Sequence, residues 1–375
     1  MRLMGICAVL LSSTIMLNGC WDYERLGAHA LITGIAVDKY KAGHILGIEV
    51  MEIPKGTSGK AEQTTKPKVI ISSIGIDSVE IPLHSIQTRI SGQPFYPNLQ
   101  ILMIGKEQAR AGIADIISHF IRDPDMRRTT EAVIAQDKAT ELLQAKPDES
   151  HFTSMYVKDM VTAASSSGRT ISSDIGEISR SIHEQSVSLL PVVEPSKDRK
   201  EVKVLGTAIL NKEKYIDMLN VNESVMIAFL KEDIEHGSLF MKCPKTGQGS
   251  AAMDIISTRS DIRPEFKGNK LQIRGNLKLT GYLAEYTCAG QRIEGHENIK
   301  RLEAYFTEKL NRRINTTVGS ILQRSGADVL DIRDFFEKRK PDQWEAIEPD
   351  FGNLLKKAKV DIRTDVHIKL KGAGT

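Results

Sequence analysis

Between Leu3 and Leu17 the chain carries no charge, and this run, preceded by the single basic residue Arg2, leads into Leu17-Asn18-Gly19-Cys20. A membrane-crossing helix needs roughly 20 apolar residues, whereas the apolar core of an export signal is shorter. The run therefore reads as a signal. Gly19 directly before the cysteine, with Leu17 at the third position back, matches the bacterial lipobox. On this reading residues 1–19 are a signal peptide cleaved between Gly19 and Cys20, and the Cys20 thiol takes a diacylglyceryl group. One acyl chain holds a protein marginally, at about 0.8 kcal/mol per buried methylene, and two palmitate-like chains hold it stably. The mature chain is thus expected to fold in water while tethered by lipid to the outer face of a membrane.

The bulk composition fits a globular body behind that tether. The chain has 375 residues, 41% of them hydrophobic and 26% charged, room for more than one core. Its 51 basic and 48 acidic residues are intermixed, so no nucleic-acid groove is advertised. Past Cys20 no uncharged apolar run reaches bilayer length, which leaves the lipid as the expected membrane attachment.

The order of elements predicts a mixed α/β (α+β) multidomain fold with mixed sheets covered by helices. Leu31–Asp38 and Ile45–Ile53 read as a hairpin around Lys41-Ala42-Gly43, and 54–67 as an exposed loop. The apolar run Leu99–Gly105 fits a strand buried on both faces. An amphipathic helix over 106–120 and a strand at 130–135 complete a βαβ unit. Helices are expected near 155–164 and 175–187. Pro191–Pro195 and the charged run Lys197–Glu201 suggest a boundary, giving an N-terminal region 20–195 with a weak point near 150, a linker 196–202 and a C-terminal domain 203–372. In that second part Asn222 is read as a helix cap. Strands are expected at 239–243, 253–257 and 269–286. Ile299, Leu302, Phe306, Leu310, Ile314, Val318 and Ile321 then recur at helical spacing. This long amphipathic helix is read as facing a core, and Ser325-Gly326 as its end. Asp328 caps a second helix, and Val360–Leu370 alternates as a strand with one wet face.

Candidate chemical groups are few. With Cys7 in the signal and Cys20 lipidated, Cys243 and Cys288 remain, either as a disulfide or as two separately buried thiols. Arg122, Asp123, Asp125, Arg127 and Arg128 form a dense charged corner, either a salt-bridged surface loop or a docking site for a partner. Lys245-Thr246-Gly247 resembles one element of penicillin-binding enzymes, but no Ser-x-x-Lys accompanies it. Nine scattered histidines form no zinc motif. No catalytic or metal residue is assigned, and no cofactor beyond the covalent lipid.

Several segments together carry a family likeness: Gly19-Cys20-Trp21-Asp22, Ile104–Arg110 with Gly112-Ile113, Phe120–Arg127, Ala327–Leu330, Pro341–Trp344 and the closing alternating strand. In these the chain resembles the Ger(x)C family, the lipoprotein C subunits of nutrient germinant receptors in endospore-forming bacteria. Glu24-Arg25-Leu26 transposes the family's usual charges after Cys-Trp-Asp without touching the lipid site. The resemblance implies a non-enzymatic subunit on the outer face of the spore inner membrane, required for nutrient-triggered germination. It also implies two partners, an integral transporter-like subunit and a second membrane subunit. The competing reading is a solute-binding lipoprotein of an ABC importer, against which stand an aromatic content of 5% and the lack of two matched lobes.

Overall fold

The computed structural model describes residues 29–41, 43–52, 68–74, 80–150, 152–243, 248–288 and 296–369. The signal, Cys20, the loop 54–67 and Lys245-Thr246-Gly247 lie outside the described residues.

The first sheet starts from the hairpin β1 (His29–Tyr40) and β2 (Gly43–Glu52), paired from Ala30↔Glu52 to Tyr40↔Gly43 with a register shift between Ile32 and Gly34. Strand β3 (Lys68–Ile74) lines the outer side of β2, and helix α1 (Glu80–Gln87) follows. The short β4 (Gln93–Phe95) and then β5 (Ile101–Gly105) run parallel to β1. After α2 (Lys106–Ala111) and α3 (Ala114–Arg122), β6 (Glu131–Ala135) lies parallel to β5. The expected βαβ unit is therefore present. Its helix is not single, because Gly112, at φ 131°, takes a conformation that L side chains rarely adopt, and the chain restarts at Ala114.

Alternation in β5 explains why its sequence has no polar side. Ile101 and Met103 enter one apolar cluster, with Leu142, Val157 and Val161 from α4 (Ala139–Leu143) and α5 (Thr153–Ser166). Leu102 and Ile104 enter another, with Ile116 and Phe120 of α3 and Ile178 of α6 (Ile175–His183). Both faces are dry.

Of the expected linker 196–202, residues 196–201 form the turn of a hairpin and Val202 opens its second strand. Strand β7 (Val187–Pro195) pairs with β6 and then antiparallel with β8 (Val202–Asn211), which pairs with β9 (Lys214–Asn220). The nine-stranded sheet, ordered β3-β2-β1-β5-β6-β7-β8-β9 with β4 beside β1, thus runs across the expected boundary. Polar turn residues look like a linker in sequence, and only strand pairing tells the two apart. The cap of α7 (Val221–Lys231) is Asn220 rather than Asn222, in a reciprocal box with Glu223.

The second sheet has the order β10-β11-β12-β13, from β10 (Gly237–Lys242), β11 (Ser250–Lys267), β12 (Lys270–Tyr286) and β13 (Lys359–Lys369). Between β12 and β13 lie α8 (His296–Ser325), α9 (Ile332–Arg339), α10 (Pro341–Ile347) and α11 (Phe351–Lys356). The apolar stripe of α8 faces the core, with Phe306, Leu310, Ile314, Val318 and Ile321 all fully buried. Each such side chain contributes about 1.5–3 kcal/mol by burial.

A second stripe of α8, polar and spaced every four residues, seals the edge of β13. Glu303 accepts from Ile368 N (2.8 Å), Thr307 Oγ1 from Val366 N (3.1 Å) and Asn315 Oδ1 from Ile362 N (2.8 Å), while Asn315 Nδ2 donates to Ile362 O (2.7 Å). Backbone groups that would invite another strand are thereby satisfied.

Two carboxylates of the first hairpin fasten it to helices more than 100 residues later. Asp38 accepts from Ala139 N (2.7 Å), Thr140 N (2.9 Å) and Thr140 Oγ1 (2.6 Å) at the start of α4. Glu49, fully buried, accepts from Thr33 Oγ1 (2.9 Å), Thr153 N (2.8 Å), Ser154 N (3.1 Å) and Ser154 Oγ at the start of α5. Neither helix has a side-chain cap of its own. Close approach is permitted by Gly34, where a Cβ would lie 2.7 Å from that of Ser154. Burial pushes the Glu49 carboxyl up from the usual carboxylate range, against donors that favour its ionised form. Glu49→Ala strands those donors and is expected to cost about 3 kcal/mol, with Glu49→Gln costing about 1. Urea unfolding of both variants measures this, and a Glu49→Ala loss under about 0.5 kcal/mol would refute the assignment.

Candidate functional site

The charged corner singled out in the sequence is built on backbone bonds. Arg122 ends α3, Asp123 Oδ1 accepts from Asp125 N (2.9 Å), and Met126 N donates to Asp123 O (3.2 Å). Buried Met126 pins the loop, Thr130 N closes onto Arg127 O (3.2 Å), and Gly176 N donates to Arg128 O (2.9 Å). Arg122, Arg127 and Arg128 point outward, and among the described residues none of them ion-pairs with a carboxylate. The corner sits at the end of the sheet where β1, β5 and β6 begin. There the His29 and Phe95 rings lie 5.3 Å apart. Next to Phe95, burial and then the Asp123 carboxylate push the Tyr96 hydroxyl up to about 12.

A cleft of about 700 Å³ opens between α6 and the start of β7 on one side and α9, α10 and α11 on the other. Three basic residues cross the boundary beside it. Arg324, at the end of α8, donates to Asp217 (2.6 Å), Glu223 (2.6 and 3.1 Å) and Met218 O (3.1 Å), which raises its pKa further. Lys231 of α7 pairs with Asp331. Arg333 of α9 donates to Glu337 (2.6 Å) and to Glu184 O just past α6, where a helix C-terminus favours a cation. Its guanidinium lies 5.4 Å from the Trp344 ring, which meets Phe351 edge-on at 4.9 Å. None of these was assigned from sequence, because an arginine on a helix face looks the same whether its partner is water or a distant strand.

The N-cap position of α9 is Asp331 rather than the expected Asp328, yet the Asp328 carboxylate takes over the side-chain part of the cap, accepting from Ile332 N (2.8 Å) and Arg333 N (2.7 Å). Cys243, after β10, and Cys288, after β12, are joined as a disulfide with Cα atoms 5.5 Å apart. His183 is exposed in the last turn of α6, and Glu297 pairs with Arg301 (2.6 Å) in α8. Among the described residues no three His, Cys, Asp or Glu side chains are grouped to hold a metal, and no helix is long and apolar enough to cross a membrane.

Comparison with known proteins assigns both halves. Residues 22–195 match the family model "Spore germination protein N-terminal domain", and residues 205–372 match "Spore germination B3/ GerAC like, C-terminal". The chain belongs to the Ger(x)C family. Among Ger(x)C relatives, Spore germination protein B3 of Bacillus subtilis (strain 168) is 21% identical over 98% of this chain and 97% of its own. Spore germination protein KC of the same organism is 20% identical over 98% of this chain and 95% of its own. The crystal structure of the GerBC protein superposes with a TM-score of 0.60 at 18% identity, covering 92% of this chain and 99% of that one. The Ger(x)C fold is therefore shared over nearly the whole length.

The capping carboxylate of Asp328 keeps part of its surface in the cleft, yet burial, opposed by its backbone bonds and reinforced by Asp331, pushes it up to about 6. The folded protein then holds a proton between its unfolded value near 3.8 and about 6 that the unfolded chain has lost. Stability from this group is full below about pH 4 and is lost as pH rises through about 6. The loss amounts to about 3 kcal/mol, reduced where cleft water solvates the carboxylate. Urea unfolding of wild type and Asp328→Asn at pH values on either side of this window should show the wild type alone losing that increment. An identical pH dependence in both would refute it.

Proposed function

We propose that the protein is the lipid-anchored C subunit of a nutrient germinant receptor, acting without catalysis or cofactor on the outer face of the spore inner membrane. The observation that carries this reading is the match to germination-protein models over both halves of the chain, together with near full-length relatives named as spore germination proteins. The Leu17-Asn18-Gly19-Cys20 motif supplies the anchor, with a diacylglyceryl group on Cys20 and cleavage after Gly19. Its partners on this reading are the membrane lipid, an integral transporter-like subunit and a second membrane subunit.

The side chains around the cleft support a structural role. Arg324, Lys231 and Arg333 are engaged in bonds to distant elements, which ties these cations into the fold. A solute-binding lobe pair is disfavoured, since the two sheets differ in strand number and order.

Metabolic labelling with palmitate is expected to mark the wild-type chain and not Cys20→Ala. Spores carrying that variant should lose the protein from the inner-membrane fraction and respond severalfold more weakly to nutrients. Full membrane retention with a normal response in the unlabelled variant would sink the anchor reading. Detergent-solubilised wild-type protein should bring down an integral transporter-like protein and a second membrane subunit. Recovery of a permease with its ATPase would favour the importer reading instead.

A further inference from the structure

The arginine corner and the point where the chain enters the fold are neighbours. His29 opens β1 and packs on Phe95, the next residue Tyr96 feels the Asp123 carboxylate, and exposed Arg122, Arg127 and Arg128 belong to the same loop as Asp123. On the anchor reading proposed above, lipid leaves the chain at Cys20, and the nine-residue step to His29 reaches at most about 30 Å. This end of the sheet therefore stays within reach of the bilayer surface.

Among the described residues the side chains of Arg122, Arg127 and Arg128 make no hydrogen bond or ion pair. Asp123 is spent on the turn to Asp125 N, Asp125 is the one exposed carboxylate of the loop, and neither pairs with the arginines among the described residues. Exposed Arg89 and Lys68, bonded to each other's region through Ile71 O (2.8 Å) and Arg89 O (2.7 Å), continue the positive rim past β2. Guanidinium groups present planar donors that match phosphate oxygens. A protein interface of any strength would want an apolar or aromatic anchor at its centre. Here Met126, the one large aliphatic side chain of the loop, is buried, and among the described residues the exposed large hydrophobic side chains Ile216, Phe240 and Ile256 belong to β9, β10 and β11.

We propose that Arg122, Arg127 and Arg128 form an electrostatic contact with the anionic phosphate headgroups of the membrane that tethers the chain. A lipid tether alone leaves the body free to rotate; this second contact selects the end that faces the lipid. Tethering keeps the headgroups at high effective concentration, so a few charges suffice. Each basic side chain near an anionic surface strengthens the contact severalfold, and salt weakens it.

The full-length lipidated chain, with a fluorescent donor attached at Thr129→Cys in the same loop, is reconstituted into vesicles carrying acceptor-labelled headgroups. Neutral phosphatidylcholine vesicles are compared with vesicles in which roughly a third of the lipid is phosphatidylglycerol. Energy transfer should be stronger in the anionic vesicles, and the difference should vanish at about 0.5 M salt. In Arg122→Gln/Arg127→Gln/Arg128→Gln the docked population should fall by about a hundredfold at low salt. The replaced side chains are exposed, and an unchanged urea midpoint would show that the variant folds. Equal transfer in the two vesicle types, or an anionic preference that survives the triple change, would overturn the proposal. So would a triple variant that keeps its transfer but no longer brings down the integral subunit, which would assign the corner to a protein partner. Flotation with neutral vesicles reports the lipid alone: a wild-type chain that fails to float there refutes the anchor, while transfer on adding anionic vesicles to that same chain still judges the arginines.

Discussion

Helix N-termini held by carboxylates from a distant hairpin are the constraint on which the first half of the molecule depends. Asp38 and Glu49 sit on adjacent strands, and each supplies the cap that α4 and α5 lack in their own sequence. A buried carboxylate is tolerable only when donors and a helix dipole replace its water. Here the same bonds that compensate its burial also fix where two helices lie against β1 and β2. The consequence is cooperative: the hairpin cannot reach its final environment before the chain beyond residue 139 has folded.

The second half solves a different problem with similar means. Its four-stranded sheet ends in β13, and the i, i+4 row Glu303, Thr307, Asn311 and Asn315 on α8 gives the exposed backbone its partners. One helix therefore serves two faces, an apolar stripe over the sheet and a polar one along its edge. At its end Arg324 reaches Asp217 and Glu223, the latter also closing the capping box of α7. Sheet, helix and neighbouring sheet are thus coupled through one residue at the terminus of the longest helix.

Much of this was legible in the sequence where periodicity carries the information. The dry run Leu99–Gly105, the stripe from Ile299 to Ile321 and the alternation of the last strand each became the expected element, because burial on one or two faces dictates which positions are apolar. What failed were distinctions that depend on partners. Residues 196–201 have the composition of a linker and the structure of a hairpin turn, and the helix over 106–120 hides a break at Gly112 that its apolar spacing spans. The cleft arginines escaped notice because their partners lie on elements far away in sequence. The corner around Asp123 was visible as charge, but its nearness to the chain entry emerges only from the parallel register of β1, β5 and β6.

A solved structure only 18% identical over nearly its whole length shares this fold, so few particular side chains are needed to specify it. Two halves of a chain keep one mutual orientation only if they do not rotate freely. The cross-boundary bonds of Arg324, Lys231 and Arg333 oppose such rotation, and Trp344 packed between Arg333 and Phe351 adds apolar contact beside them. Surface ion pairs contribute little singly, but Arg324 is only a third exposed and bonds three acceptors at once, the geometry in which such pairs count.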